Sequence, residues 1–189
     1  MNMHRHLLVF MALLAGCAAP DPLPPKDAVV PAGLDLSGQW QLRSESTDSN
    51  REIQDVRREF SGEQESLIPK STKKRSKRKS DDVQVHVFLE AGASLKLTQT
   101  EHGLFISFDR AIVEEYRFGE QRMVNVGAIY AERVSGWEDG AYVIVTRGRE
   151  GGMLVESYRL ADNDTMVRTV QINTKDATRL DIEQIFDRR

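Results

Sequence analysis

The sequence predicts an all-β domain with one short helix, an antiparallel meander of eight or nine strands closing into a small barrel or half-barrel. Three observations carry this. Beyond residue 93 apolar residues recur at every second position in short runs, the repeat of a strand with one buried face. Those runs are separated by Glu101-His102-Gly103, Trp137-Glu138-Asp139-Gly140, Gly151-Gly152, Asp162-Asn163-Asp164 and Lys175-Asp176, which suit tight turns. Residues 51–60, by contrast, carry apolar side chains at helical spacing.

The chain starts with a segment apart from this domain. His4-Arg5-His6 is a short basic start, Leu7 to Leu14 is an unbroken apolar run, and Ala15-Gly16 lead into Cys17, the one cysteine. The run is too short to span a bilayer, which takes ~20 apolar residues, and fits the apolar region of a cleaved export signal. Leu14-Ala15-Gly16-Cys17 resembles the four-residue lipobox of bacterial lipoproteins. That resemblance implies cleavage before Cys17, a diacylglyceryl group on its sulfur and an acyl chain, such as palmitate, on its new amino group. In members from Gram-negative cells an Asp after the acylated Cys commonly retains the protein in the inner membrane. Ala18-Ala19 here imply the outer membrane, facing the periplasm.

Removing residues 1–16 takes away one basic residue, Arg5, so the formal net charge of −3 becomes one unit more negative. The remaining length suits one domain, and with Cys17 acylated no thiol is left for a disulfide. Pro20, Pro22, Pro24, Pro25 and Pro31 fall between Cys17 and Gly33. Proline fixes φ and lacks the N–H, so residues 17–33 read as an extended tether that at ~3.1 Å per residue holds the domain up to roughly 50 Å from the membrane. The domain is expected over 34–189, with a helical and basic-loop insertion at about 50–82.

Leu34, Leu36, Gly38, Trp40 and Leu42 share one face of the first strand. Gly38-Gln39-Trp40 resembles the Gly-x-Trp opening of lipocalins, which implies a lipocalin-like barrel with Trp40 closing one end; no further lipocalin motif is present. Asn50 is placed to cap a helix over Arg51–Phe60 whose face Ile53, Val56 and Phe60 docks on the sheet or covers a barrel end, with Ser61-Gly62 as its stop. Lys70, Lys73, Lys74, Arg75, Lys77, Arg78 and Lys79 then place seven basic residues in ten, a solvated loop or a contact for anionic lipid or peptidoglycan. An exported chain does not meet nucleic acid, so that partner is excluded.

Val83–Glu90 fits a buried strand or a short helix. Strands are expected over Ser94–Gln99, Leu104–Phe108, Ile112–Tyr116, Val124–Val134, Gly140–Arg147, Met153–Leu160, Met166–Ile172 and Arg179–Phe186, the last with Leu180, Ile182 and Phe186 facing inward. At ~8 strands such a meander can close around side chains or one ligand. The feature order, including Trp137-Glu138-Asp139-Gly140 and Glu156-Ser157-Tyr158-Arg159-Leu160, also resembles a group of proteobacterial lipoproteins with no assigned activity.

Catalytic and metal signatures are absent. The mature chain has two histidines, His86 and His102, no Gly-x-Ser-x-Gly elbow and no phosphate loop, and Glu114 and Glu115 alternate across a strand. No cofactor or metal is expected. The expected function is non-enzymatic binding of an envelope protein or an apolar ligand in cell-envelope maintenance; the alternative is a structural module clamped to anionic membrane or peptidoglycan by the basic run, and a less favoured one is an envelope hydrolase. An apolar cavity of a few hundred Å3 would favour carriage of a ligand, and a filled core the module.

Overall fold

A computed structural model describes residues 21–65, 81–174 and 176–189. Ten antiparallel strands, β1 (Gly38–Leu42), β2 (Ser94–Gln99), β3 (Gly103–Phe108), β4 (Ile112–Arg117), β5 (Glu120–Val126), β6 (Ile129–Glu138), β7 (Ala141–Gly148), β8 (Met153–Leu160), β9 (Thr165–Asn173) and β10 (Thr178–Arg188), form one sheet. Its order is β4-β3-β2-β1-β10-β9-β8-β7-β6-β5. First and last strands pair, Trp40 opposite Arg188 and Leu42 opposite Phe186, so the sheet curls into a nearly closed barrel.

The barrel stays open between β4 and β5. Only Phe118-Gly119 separates these strands in sequence, yet they share no ladder. Side chains lace the gap instead: the Ser135 hydroxyl donates to Arg117 O at 2.9 Å and the Arg122 guanidinium to Glu115 O at 3.1 Å. These bonds satisfy carbonyls that an edge strand would otherwise leave to water or to another strand.

One hairpin hidden in the sequence accounts for the tenth strand. The expected single strand Val124–Val134 is the end of β5, a turn at Gly127-Ala128 and the start of β6, with Gly127 at φ 57°. A largely apolar stretch whose only turn-forming residues are Asn125 and Gly127 reads as continuous strand, and the glycine at positive φ breaks it. Asp139-Gly140, with φ values of 48° and 75°, turns where expected, both central residues having the positive φ of a type I′ hairpin.

Between β1 and β2 a 3₁₀ turn, Ser44–Ser46, leads into α1 (Thr47–Glu65), and a 3₁₀ helix covers Asp81–Phe88. Two expected boundaries are corrected. The helix starts at Thr47, so Asn50 is a buried residue within it rather than its cap, and it runs past Ser61-Gly62. Val83–Glu90 resolves as helical rather than strand, because Val85, Phe88 and Leu89 pack with Ile53 on Leu154, Val170, Ile172, Leu180 and Ile182, capping one end of the barrel. No described helix is long and apolar enough to cross a membrane.

The other end is filled by Leu36, Trp40, Leu97, Leu104, Phe118, Trp137, Tyr142 and Phe186. Trp40 is fully buried, its indole N–H donating to Leu36 O at 3.0 Å and its ring lying 4.1 Å from the Arg188 guanidinium. Burial at a barrel end is what the Gly-x-Trp resemblance implied.

Residues 21–33, within the expected tether, lie against the outer wall. Leu23 is buried on Val134, Val143 and Val145, and Lys26 meets Glu138 at 2.7 Å. Asp27 N–H donates to Trp137 O at 3.1 Å and Trp137 N–H to Asp27 O at 2.8 Å. Two glycines make room for this strap. A Cβ on Gly136 would stand 2.4 Å from Asp27 O, and one on Gly119 2.8 Å from the Ala28 Cβ. Proline excludes regular ladders but not docking, so residues 21–33 are packed on the barrel and are not an extended tether.

Candidate functional site

Strand alternation explains the site. Residues paired across the ladder face the same way, and Ile106, Leu154, Val170 and Ile182 face inward. In phase with them stand Glu114 on β4, Arg133 on β6, Thr146 on β7, Glu156 on β8, Arg168 on β9 and Gln184 on β10. A polar belt therefore crosses the interior between the aromatic end and the helical cap.

One half of the belt is sealed. Arg168 is wholly buried, paired with the Glu156 carboxylate, donating to Gln184 Oε1 at 3.1 Å and to Glu90 O at 2.8 Å. Its guanidinium lies 5.3 Å from the Phe108 ring centroid and 5.6 Å from that of Tyr158. The Tyr158 hydroxyl donates to Glu156 at 3.3 Å, and burial above all pushes its pKa up, so it remains a neutral donor. Glu156 thus occupies the space an external anion would need to reach Arg168.

The other half opens to solvent through the gap between β4 and β5. A cleft of ≈ 350 Å3 is lined by Val87, Phe88, Glu90, Glu114, Arg133 and the β5 segment Arg122–Val126. Arg133, its side chain 6% exposed, forms the floor between the rings of Phe88 and Tyr116, each 5.5 Å away. Its Nε donates to Thr146 at 2.9 Å, while Glu114 stands off at 3.7 Å and is 34% exposed. That separation is beyond a normal hydrogen bond, so this charge pair is loose. Glu90 meets Arg57 at 2.9 Å, yet burial outweighs that cation and raises its carboxyl above the usual range. The cleft therefore offers an apolar wall beside donors and acceptors of both signs.

The residues singled out in the sequence fall elsewhere. Cys17 and the run Lys70, Lys73, Lys74, Arg75, Lys77, Arg78 and Lys79 lie outside the described residues; the run connects α1 to the 3₁₀ helix of the cap. His102 is exposed in the β2–β3 turn and His86 is buried in the cap. Among the described residues no group of three His, Cys, Asp or Glu is placed to hold a metal. Glu114 and Glu115 point to opposite sides of β4, as alternation requires. The belt was not expected. Its signal was legible as a polar residue in the inward register of successive strands: Leu154-x-Glu156-x-Tyr158, Met166-x-Arg168-x-Val170 and Ile182-x-Gln184-x-Phe186.

No family model and no curated protein matches the chain. Solved structures do. A secretory abundant heat soluble protein from Ramazzottius varieornatus is 8% identical with a TM-score of 0.47, over 82% of this chain and 95% of that one. Apo lipid binding protein 8 of Caenorhabditis elegans is 9% identical at 0.48, over 84% and 100%. A mutant of the fatty acid transporter REP1-NXSQ is 13% identical at 0.45, over 82% and 98%. These are likenesses of outline. By their own topology the described residues form a ten-stranded antiparallel barrel with a helical cap and a lateral cleft between β4 and β5.

Proposed function

We propose that the chain is a lipid-anchored envelope protein, facing the periplasm from the outer membrane, that binds a small amphipathic molecule in the cleft between β4 and β5 without transforming it. The carrying observation is the cleft itself, where Val87, Phe88, Val124 and Val126 stand beside a guanidinium, Arg133, whose acidic neighbour Glu114 is loosely held. Its volume of ≈ 350 Å3 is at the small end of ligand sites, ~300–1,000 Å3. A long chain laid along the barrel axis would have to displace Trp40, Tyr142, Tyr158 and Phe186, all fully buried. The ligand is therefore short, or enters only in part. The lipobox and Ala18-Ala19 support the location.

Native mass spectrometry of the membrane-extracted protein is the test. A bound small molecule is expected, and Val124→Trp, which fills the cleft from a half-buried position at its rim, should lose it while the protein stays folded. Retention of the same molecule at the same occupancy would place binding elsewhere.

The filled aromatic end supports a second reading, an interaction module held to anionic lipid or peptidoglycan by the seven basic residues. Replacing them with Ser or Gln should then abolish salt-sensitive sedimentation with anionic vesicles or peptidoglycan. Unchanged sedimentation would remove that reading.

A further inference from the structure

The β5–β6 hairpin is an anomaly of composition. Met123-Val124-Asn125-Val126-Gly127-Ala128-Ile129-Tyr130-Ala131 carries no charge in a chain 29% charged. Part of it packs inward, Ala131 being buried with Val124 and Ile129 against the core, but Met123 is 60%, Val126 45% and Tyr130 44% exposed, which core packing does not account for. The Arg149 guanidinium lies 5.2 Å from the Tyr130 ring. An exposed apolar tip with an aromatic ring and a cation beside it is the combination that settles at a membrane interface, where apolar atoms enter the acyl boundary and polar groups remain wet.

The strap indicates what this tip meets. Traced backwards, it passes from Asp27 opposite Trp137 to Leu23, whose N–H donates to Glu132 at 3.3 Å, so it runs along β6 toward the hairpin. Cys17 lies four residues before Asp21, a distance of at most ~14 Å in extended chain. A lipid on Cys17 would thus hold the barrel close to the bilayer on this side. At the opposite end Glu101, Glu138, Asp139, Asp162 and Asp164 stand at the turns; Glu138 is paired with Lys26 and Asp164 lies 4.0 Å from Arg188, which leaves Glu101, Asp139 and Asp162 as exposed carboxylates that an anionic bilayer disfavours.

We infer that the β5–β6 hairpin is the surface on which the barrel rests against a phospholipid bilayer, so that the cleft, whose rim is the same Arg122–Val126 segment, opens toward the lipid. This rests on the anchored-lipoprotein reading above and adds which face the membrane touches and where a ligand would enter.

The chain provides its own probe, because acylation of Cys17 leaves no free thiol. Full-length Val126→Cys, expressed with its signal, purified and labelled with an environment-sensitive fluorophore, is reconstituted into phosphatidylethanolamine/phosphatidylglycerol vesicles beside an Asn163→Cys control on the far end. Both should float with the vesicles. Label at 126 should brighten by about two-fold or more as it moves into the acyl boundary, and nitroxide-bearing lipid should quench it; label at 163 should do neither. Flotation with label at 126 as dark and unquenched as at 163 overturns the inference and leaves the anchor standing. Brightening that nitroxide lipid does not quench assigns the hairpin to a second copy or another protein and overturns it too. A protein that does not float lacks the anchor, and the inference falls with it.

Discussion

At the end of the barrel where β1 begins, the interior is occupied by rings: Phe118 lies 5.5 Å from both Trp137 and Tyr142, which are themselves 5.4 Å apart, over Trp40 and Phe186. Toward the helical cap, the same barrel places Glu90, Glu114, Glu156, Arg133 and Arg168 inside and leaves a wall unpaired. Edge-to-face rings are complementary in themselves and exclude water without further partners. Buried charges need partners, here one another together with Gln184, Thr146 and a backbone carbonyl, and their desolvation cost is barely offset by the attraction. One end is thus built to stay shut. The other tolerates an opening, because a charged group facing a gap loses less hydration than one sealed in.

The difference should show most strongly at Trp40. Trp40→Ala removes a fully buried side chain from the closed end and should cost on the order of 3–5 kcal/mol, read by denaturant unfolding of the soluble domain. An unchanged midpoint would mean that this end does not hold the fold together.

Comparable in size is the effect at the sealed half of the belt. Arg168→Met leaves the Glu156 carboxylate buried without its cation and should cost about 3–5 kcal/mol, whereas adding Glu156→Leu should recover most of that loss. A double variant as unstable as the single one would show that the pair contributes net stability rather than merely neutralising itself.

The smallest effect belongs to Glu90 and depends on pH. Its folded carboxyl is raised by burial, so the unfolded chain ionises first, near pH ~4.3, while the folded one still holds its proton. The stability it contributes is therefore full in acid and falls as pH rises from the unfolded value through the raised folded one. Glu90→Gln removes this decline. Relative to wild type, the variant should gain ground between pH 4 and pH 7 in urea titrations; a difference independent of pH would mean that Glu90 is not desolvated.

Most strands were legible because the inward residues of β8, β9 and β10 alternate with polar ones around a single buried face, and Asp139-Gly140 carries the conformation its turn demands. The basic run and the cysteine were equally plain, being properties of composition and order. The helical state of Asp81–Phe88 was not, since a short apolar run satisfies strand and helix alike until Ile53 and Leu180 fix which face is buried. Nor was the strap, because Pro-rich chain looks the same free or docked; the space that Gly119 and Gly136 leave for Lys26–Ala28 decides it.

Strand positions and most inward faces follow from the order of residues alone, since alternation is a local property; Val134, Val143 and Val145 are exceptions, apolar residues of the outer face that Leu23 covers. That β1 pairs with β10 while β4 and β5 remain apart is a property of the folded barrel, because closure depends on the summed twist of the described strands and on the side chains of Arg122 and Ser135 reaching β4 carbonyls. The tertiary structure also decided that Glu114, Arg133, Glu156 and Arg168, scattered over four strands, meet in one interior, because which charges face each other is set by register between strands.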